Sequence, residues 1–161
     1  MEKIRQTIFT VFGIKNLNET ESIVRKLSEG FDVNAIDSGG RTLLMQAAID
    51  NDHELVKILL DHGADPNIRE ERNWTALHFA VQEYNPFSTK LLLKKGADVN
   101  AQDDYGNSVV SRAVMNSRGR GDVIQLLCEY GADVNLQNRS GISALDSAKN
   151  IANYDIVPFL Q

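Results

Sequence analysis

Trp74-Thr75-Ala76-Leu77-His78-Phe79-Ala80 and, further on, Leu91-Leu92-Leu93-Lys94-Lys95-Gly96-Ala97-Asp98-Val99-Asn100 are the two ends of one unit that this chain writes out several times. The closing half recurs as Gly30-Phe31-Asp32-Val33-Asn34, Gly63-Ala64-Asp65-Pro66-Asn67 and Gly131-Ala132-Asp133-Val134-Asn135, so that the four copies stand 33, 33 and 35 residues apart. The opening half keeps step, as Thr42-Leu43-Leu44-Met45-Gln46-Ala47, Ser108-Val109-Val110-Ser111-Arg112-Ala113 and Ser143-Ala144-Leu145-Asp146-Ser147-Ala148. Two markers in phase over four units make a repeat architecture the first conclusion, ahead of any local feature.

The chemistry of the unit predicts two helices. Thr42, Thr75, Ser108 and Ser143 stand where a first helix should begin, with hydroxyls able to accept from orphan amides of the first turn. Ser143 with Asp146 resembles a capping box, Asp replacing the usual Glu. Ala47, Ala80, Ala113 and Ala148 are small enough to let neighbouring first helices approach closely. The second helix carries an apolar stripe: Leu55, Val56, Ile58, Leu59 and Leu60 in one unit, Leu91 to Leu93 in the next, then Val123, Ile124, Leu126, Leu127 and Cys128. Pro86 suits a first helical turn, with Asn85 as its cap. Gly63, Gly96 and Gly131 end these helices, and the Asp-x-Asn that follows suits a turn. Met115 to Gly121 carries two extra residues, which predicts a longer, Gly-rich link between the helices of that unit.

The ends read as caps. Ile4, Ile8 and Phe12 fall on one helical face, and Asn18 and Glu21 can cap a following helix that buries Ile23, Val24 and Leu27. Phe159-Leu160-Gln161 lies just inside the final second helix. A stack needs both apolar ends covered, so the chain is expected to be an entire protein.

Over residues 37–161, with a degenerate unit before them, these motifs resemble the ankyrin-repeat family. The resemblance implies an all-α fold: a solenoid of helix-turn-helix units with projecting β-turn fingers, of about four to five repeats including the caps. The expected division is a single domain over 1–161. It comprises a degenerate N-terminal capping repeat (1–36), internal repeats at 37–70, 71–103 and 104–137, and a truncated C-terminal capping repeat (138–161). The sequence departs from the family pattern in two ways. Leu43, Ala76, Val109 and Ala144 replace the Pro after the Thr or Ser, and the motif His survives only as His78. Both changes should weaken units modestly without altering the fold.

Composition narrows the function. The chain has 161 residues, 42% hydrophobic and 24% charged, with a net charge of -5 that argues against nucleic acid as partner. No stretch approaches the ~20 apolar residues of a membrane helix. There is no secretory cleavage pattern, and the one cysteine, Cys128, fits a reducing cytoplasm. Cys128 holds the slot of Leu60 and Leu93 and reads as a buried, inert thiol. His53, His62 and His78 are scattered without zinc-ligand spacing, so no metal or cofactor is expected. His78 reads as a hydrogen-bonded structural residue and His62 as exposed at a helix end. Arg120-Gly121-Asp122 is explained by the start of a helix, and the Asn-x-Ser/Thr matches at Asn18, Asn73 and Asn138 lack a secretory context. Nothing assembles a nucleophile with a base, so the chain is expected not to be an enzyme.

What remains is a surface. The resemblance implies one protein partner docked on the concave side, where finger tips meet first helices. Carried onto this sequence, the finger positions are Ser38, Gly39 and Arg41; Glu71, Arg72 and Trp74; Asp104, Tyr105 and Asn107; Arg139, Ser140 and Ile142. The first helices add Ile49, Asp50, Gln82, Glu83, Met115 and Asn116. Trp, Tyr and Arg often dominate binding energy, which singles out Trp74, Tyr105 and Arg72. Trp74 has a second reading, as packing against the neighbouring finger. The expected role is to bind and inhibit a partner. The small size and acidic balance resemble bacterial toxin-immunity proteins of this family. A cytoplasmic adaptor, scaffold or kinase-inhibitor-like protein is the alternative, and a structural subunit of a larger assembly is a third.

Overall fold

The computed structural model describes residues 20–151 and 155–160. The positions expected to form the first cap, Ile4, Ile8, Phe12 and Asn18, lie outside these residues. Among the described residues there are eight α-helices: α1 (Thr20–Ser28), α2 (Leu43–Ile49), α3 (His53–Asp61), α4 (Ala76–Gln82), α5 (Pro86–Lys94), α6 (Val109–Asn116), α7 (Asp122–Glu129) and α8 (Ala144–Asn150). A 3-10 turn, Val157–Leu160, follows. No extended strand is present among the described residues; the β-structure is limited to the isolated bridges Ile36–Thr42 and Gln102–Ser108.

Most of these helices start at a side chain that caps them, α7 with its N-cap Gly121 being an exception. The Thr42 hydroxyl accepts from the Met45 N–H at 3.3 Å, and that of Ser108 from the Ser111 N–H at 3.3 Å. Ser143 and Asp146 form a reciprocal box, with the Ser143 hydroxyl accepting from the Asp146 N–H at 3.1 Å and the Asp146 carboxylate from the Ser143 N–H at 3.0 Å. In α4 the imidazole of His78 reaches back instead, its Nδ1 accepting from the Thr75 N–H at 3.1 Å. Asp52 caps α3, and Asn85 caps α5 with Pro86 at its first turn. Gly63, Gly96 and Gly131 close α3, α5 and α7 at φ near +85°, a region that costs a side chain strain.

The helices stack in two layers. First helices α2, α4, α6 and α8 pack in series, second helices α3, α5 and α7 do the same, and each pair α2/α3, α4/α5 and α6/α7 bridges the layers. The close first-helix layer depends on its alanines: Ala47, Ala80 and Ala113 are fully buried, and Ala148 nearly so. Leu59 and Leu92, in the same slot of consecutive units, are also fully buried. The Asn of each Asp-x-Asn joins units as well as turning the chain. The Asn34, Asn67 and Asn100 side-chain oxygens accept from the N–H groups of Asp65, Asp98 and Asp133 in the following units, at 2.8, 2.8 and 2.7 Å.

Three expectations are corrected. Val157–Leu160 forms a 3-10 turn where a second helix was expected. Pro158 brings no N–H, and four residues cannot offset helix nucleation. Cys128 is half-buried rather than buried, with desolvation pushing its thiol above the ordinary value. Of the apolar residues of α1, Ile23 is buried while Val24 and Leu27 are half-buried. The link between α6 and α7 is longer, as expected, spanning 117–121 against 50–52 and 83–85 in the earlier units.

Candidate functional site

Among the described residues, four turns precede the first helices, and all close in the same way. One side-chain oxygen at the base accepts from two amides of its own turn. Asp37 Oδ1 takes the N–H groups of Gly39 and Arg41, both at 2.9 Å. Glu70 Oε1 takes those of Arg72 and Trp74 at 2.7 and 3.2 Å. Asp103 Oδ1 takes those of Tyr105 and Asn107, both at 2.9 Å. Asn138 Oδ1 takes those of Ser140 and Ile142 at 2.9 and 3.0 Å. These turns are the fingers.

The fingers are also bonded to one another. The N–H groups of Glu71, Asp104 and Arg139 donate to the carbonyls of Gly39, Arg72 and Tyr105 at 3.3, 3.1 and 3.0 Å. Adjacent backbones come so close that a Cβ on Gly106 would stand 3.0 Å from the Arg139 nitrogen. Asn73 takes, at φ 60°, the left-handed place that Gly40, Gly106 and Gly141 hold in the other fingers, and donates its side-chain amide to Asp104. The fingers thus form a hydrogen-bonded ladder.

On the fingers and the first helices behind them the large exposed apolar side chains are Tyr105 (69%), Met115 (52%) and Ile142 (46%), with Ile36 (54%) beside the base of the first finger. Met115 lies in the last turn of α6, the helix that follows the Tyr105 finger, and Ile142 is on the adjoining finger. Glu71, Arg72, Gln82, Glu83 and Arg139 are exposed; Arg41, Ile49, Asp50, Asp104 and Asn107 are half-buried. Ser38 and Ser140 are exposed, and Gly39 and Asn116 half-buried. The Asn107 carboxamide is engaged, its Oδ1 accepting from Asn138 Nδ2 at 2.9 Å. The charges alternate in sign along the ladder.

Trp74, for which both binding and packing are expected, is only partly open to solvent. It is half-buried, its ring 5.0 Å from Phe79 and 5.8 Å from His78, with the Arg112 guanidinium 4.3 Å above it. Its bulk goes into holding the finger against α4 and α6, because a large indole gains more from this slot than from water. Of its two expected roles the contacts favour packing, against α4 and Arg112 rather than against the neighbouring finger.

Arg112 is the residue that sequence reading missed. Besides covering Trp74, it pairs with Asp103 at 2.5 Å, where the carboxylate is fully buried. Burial pushes the Asp103 carboxyl up, and the bonds from Arg112 and Asn107 outweigh it, leaving the group below the ordinary carboxylate range. His78 lies beneath, fully buried. Desolvation drives its imidazole from 6.5 to about 4; Asp103 opposes this, and Arg112 and Arg69 add to it. Because Nδ1 accepts the Thr75 N–H, the proton of the neutral ring sits on Nε2. His62, by contrast, is exposed at the end of α3, with Nδ1 2.8 Å from the Ile58 carbonyl oxygen. Among the described residues no group of His, Cys, Asp or Glu is placed to hold a metal ion, and no helix is long and apolar enough to cross a membrane.

Comparison with known proteins agrees with this geometry. A family model for ankyrin repeats (3 copies) matches residues 13–103, 44–138 and 85–161. An ankyrin repeat protein of fowlpox virus (strain NVSL) is 31% identical over 160 residues, covering 96% of this chain and 20% of its own length. A second from the same virus is 35% identical over 146 residues, covering 86% of this chain and 42% of its own length. The human Notch-regulated ankyrin repeat-containing protein is 38% identical over 67 residues, which is 41% of this chain and 59% of that protein. The chain therefore spans between about a fifth and three fifths of the length of these relatives.

Proposed function

The chain belongs to the ankyrin-repeat family, a non-catalytic protein–protein interaction fold, and on that premise we propose that it grips one protein partner on the finger and first-helix face and blocks it. The observation that carries this is the bonded finger ladder presenting Tyr105, Met115 and Ile142 to solvent. A ladder already ordered has little conformational entropy left to lose on binding. An exposed Tyr offers a large amphipathic contact of the kind that dominates interfaces. Arg41, Glu71, Arg72, Asp104 and Arg139 on the fingers, with Asp50, Gln82 and Glu83 at first-helix ends, supply a rim of mixed charge that sets register more than affinity. Ile49 and Asn107 back this surface, and Trp74 supports it from beneath.

Neutralising a toxin is the narrower form of this reading, supported by the acidic balance. An adaptor or scaffold is the alternative form. Inhibition abolishes the captured partner's activity at one-to-one stoichiometry, and scaffolding leaves it intact. The test is capture of the partner, then calorimetry and melting curves on variants. Tyr105→Ala and Met115→Ala should each weaken binding by ~2 kcal/mol or more, roughly thirtyfold, with melting unchanged. Lys57→Ala, on an exposed position of α3, should bind normally. Greater harm from Lys57→Ala than from both finger-face changes would place the partner elsewhere.

A further inference from the structure

The second-helix layer carries a groove that the finger face does not use. It holds about 480 Å³ and is lined from α3, α5 and α7. Its apolar part is Phe87, 69% exposed, with half-buried Leu91 and Leu126, and the His53 ring 5.7 Å from that of Phe87. The repeat does not require this Phe. The same slot, nine residues before the helix-ending glycine, holds Glu54 in the preceding unit and Asp122 in the following one. A Phe left exposed in a slot that its neighbours fill with carboxylates is apolar area still to be buried.

The two walls carry opposite charges. Lys90 and Lys94 line the α5 side, while Gln125 and Glu129 hold the equivalent positions of α7, with Asp122 one turn before them. All five are exposed, and among the described residues no ion pair joins the walls.

We infer that a second copy of this chain occupies the groove, related by a two-fold axis running along it. Rotation about that axis exchanges left and right, so the lysine wall of each copy lies over the acidic wall of the other. An axis across the groove would set lysine over lysine, which the charges forbid. The contact is isologous: the axis keeps heights equal, so the two Phe87 rings meet across it, Leu91 of each copy lies over Leu126 of the other one turn on, and one pattern satisfies both copies. No other partner need be supplied, since the chain itself carries both the apolar plug and the complementary charges. No finger or first-helix residue lines the groove, so the dimer keeps both finger faces open and can hold two partner molecules, or one bivalent partner more tightly than either face alone.

Sedimentation equilibrium of the full chain tests this. The wild type should reach twice the monomer mass of 17.9 kDa at high concentration and dissociate on dilution and in high salt. Phe87→Ser, at an exposed side chain, should weaken self-association by about tenfold or more. The double change Lys90→Glu with Lys94→Glu, and the double change Gln125→Lys with Glu129→Lys, should each be monomeric alone and form a heterodimer when mixed. Melting curves verify that the variants fold. A wild type that stays monomeric at every concentration overturns the inference, as does a dimer indifferent to these changes. A monomeric wild type whose Phe87→Ser variant loses a captured partner also overturns it, and assigns the groove to a helix of that foreign protein.

Discussion

The Arg112 guanidinium sits between Trp74 and Asp103, and the side chains it joins belong to two successive fingers. A cation over an indole face contributes about 0.5 to 2 kcal/mol, and the contacts with Phe79 and His78 add to it. Trp74→Ala should therefore lower stability by about 2 kcal/mol, below the ~3 to 5 of a fully buried aromatic. Tyr105→Ala should stay within about 0.5 kcal/mol of wild type, as exposed positions do. Urea midpoints separate the two, and equal losses would show that Tyr105 also packs. His78 makes a second prediction. Its unfolded form binds a proton near pH 6.5 and its folded form only near 4, so between these values the unfolded chain holds more protons. Its contribution is complete above pH 6.5 and is lost as pH falls through 4, a loss of roughly 3 kcal/mol. Urea midpoints across that range should fall steeply for wild type and less steeply for His78→Gln; parallel slopes would refute the assignment. Asp103, held below 3.8, releases its share only at still lower pH. The capping residues Thr42, Ser108 and Ser143 were legible because a cap acts within its own helix. What covers Trp74 was not, because the cover comes from Arg112 in the next unit, and spacing within a unit says nothing about that meeting.

At the scale of the element, the finger is a turn held by one oxygen. Removing it strands two amides, so Glu70→Ala should cost about 1 kcal/mol and speed exchange at the Arg72 and Trp74 N–H groups. Unchanged exchange at both would mean that backbone bonds alone hold the finger. The four base residues, Asp37, Glu70, Asp103 and Asn138, share the 33, 33 and 35 spacing of the other motifs. They were readable in principle. They went unread because the residue type varies while the property that matters, a short-reach side-chain oxygen, does not. The helix-ending glycines were readable because that position admits little else. In the second helices, Leu92→Ala should cost ~2 to 5 kcal/mol, since Leu92 is fully buried between units. An unmoved urea midpoint would show the register of the stripe to be wrong. The closing 3-10 turn was less legible, for its place is set by a distant contact: a Cβ on Gly121 would fall 2.3 Å from the Phe159 ring.

Across the whole molecule, each unit touches mainly its neighbours, through the first-helix alanines, the asparagines between units and the finger ladder. Stability in such a stack is a sum of unit and interface contributions, so the periodic residues account for the fold and leave the exposed ones for recognition. That division explains why the fold could be read from the motifs, whereas the partner-binding residues could be named only by position. The central claim is that recognition falls on the finger and first-helix face of a stack that is already ordered. Hydrogen exchange of the free chain and of its complex with the captured partner tests it most directly. New protection is expected at 70–74, 103–107 and 138–142 and at the last turns of α2, α4 and α6, with α3, α5 and α7 unchanged between the two states. New protection confined to α3, α5 and α7, with the fingers exchanging as in the free chain, would contradict it.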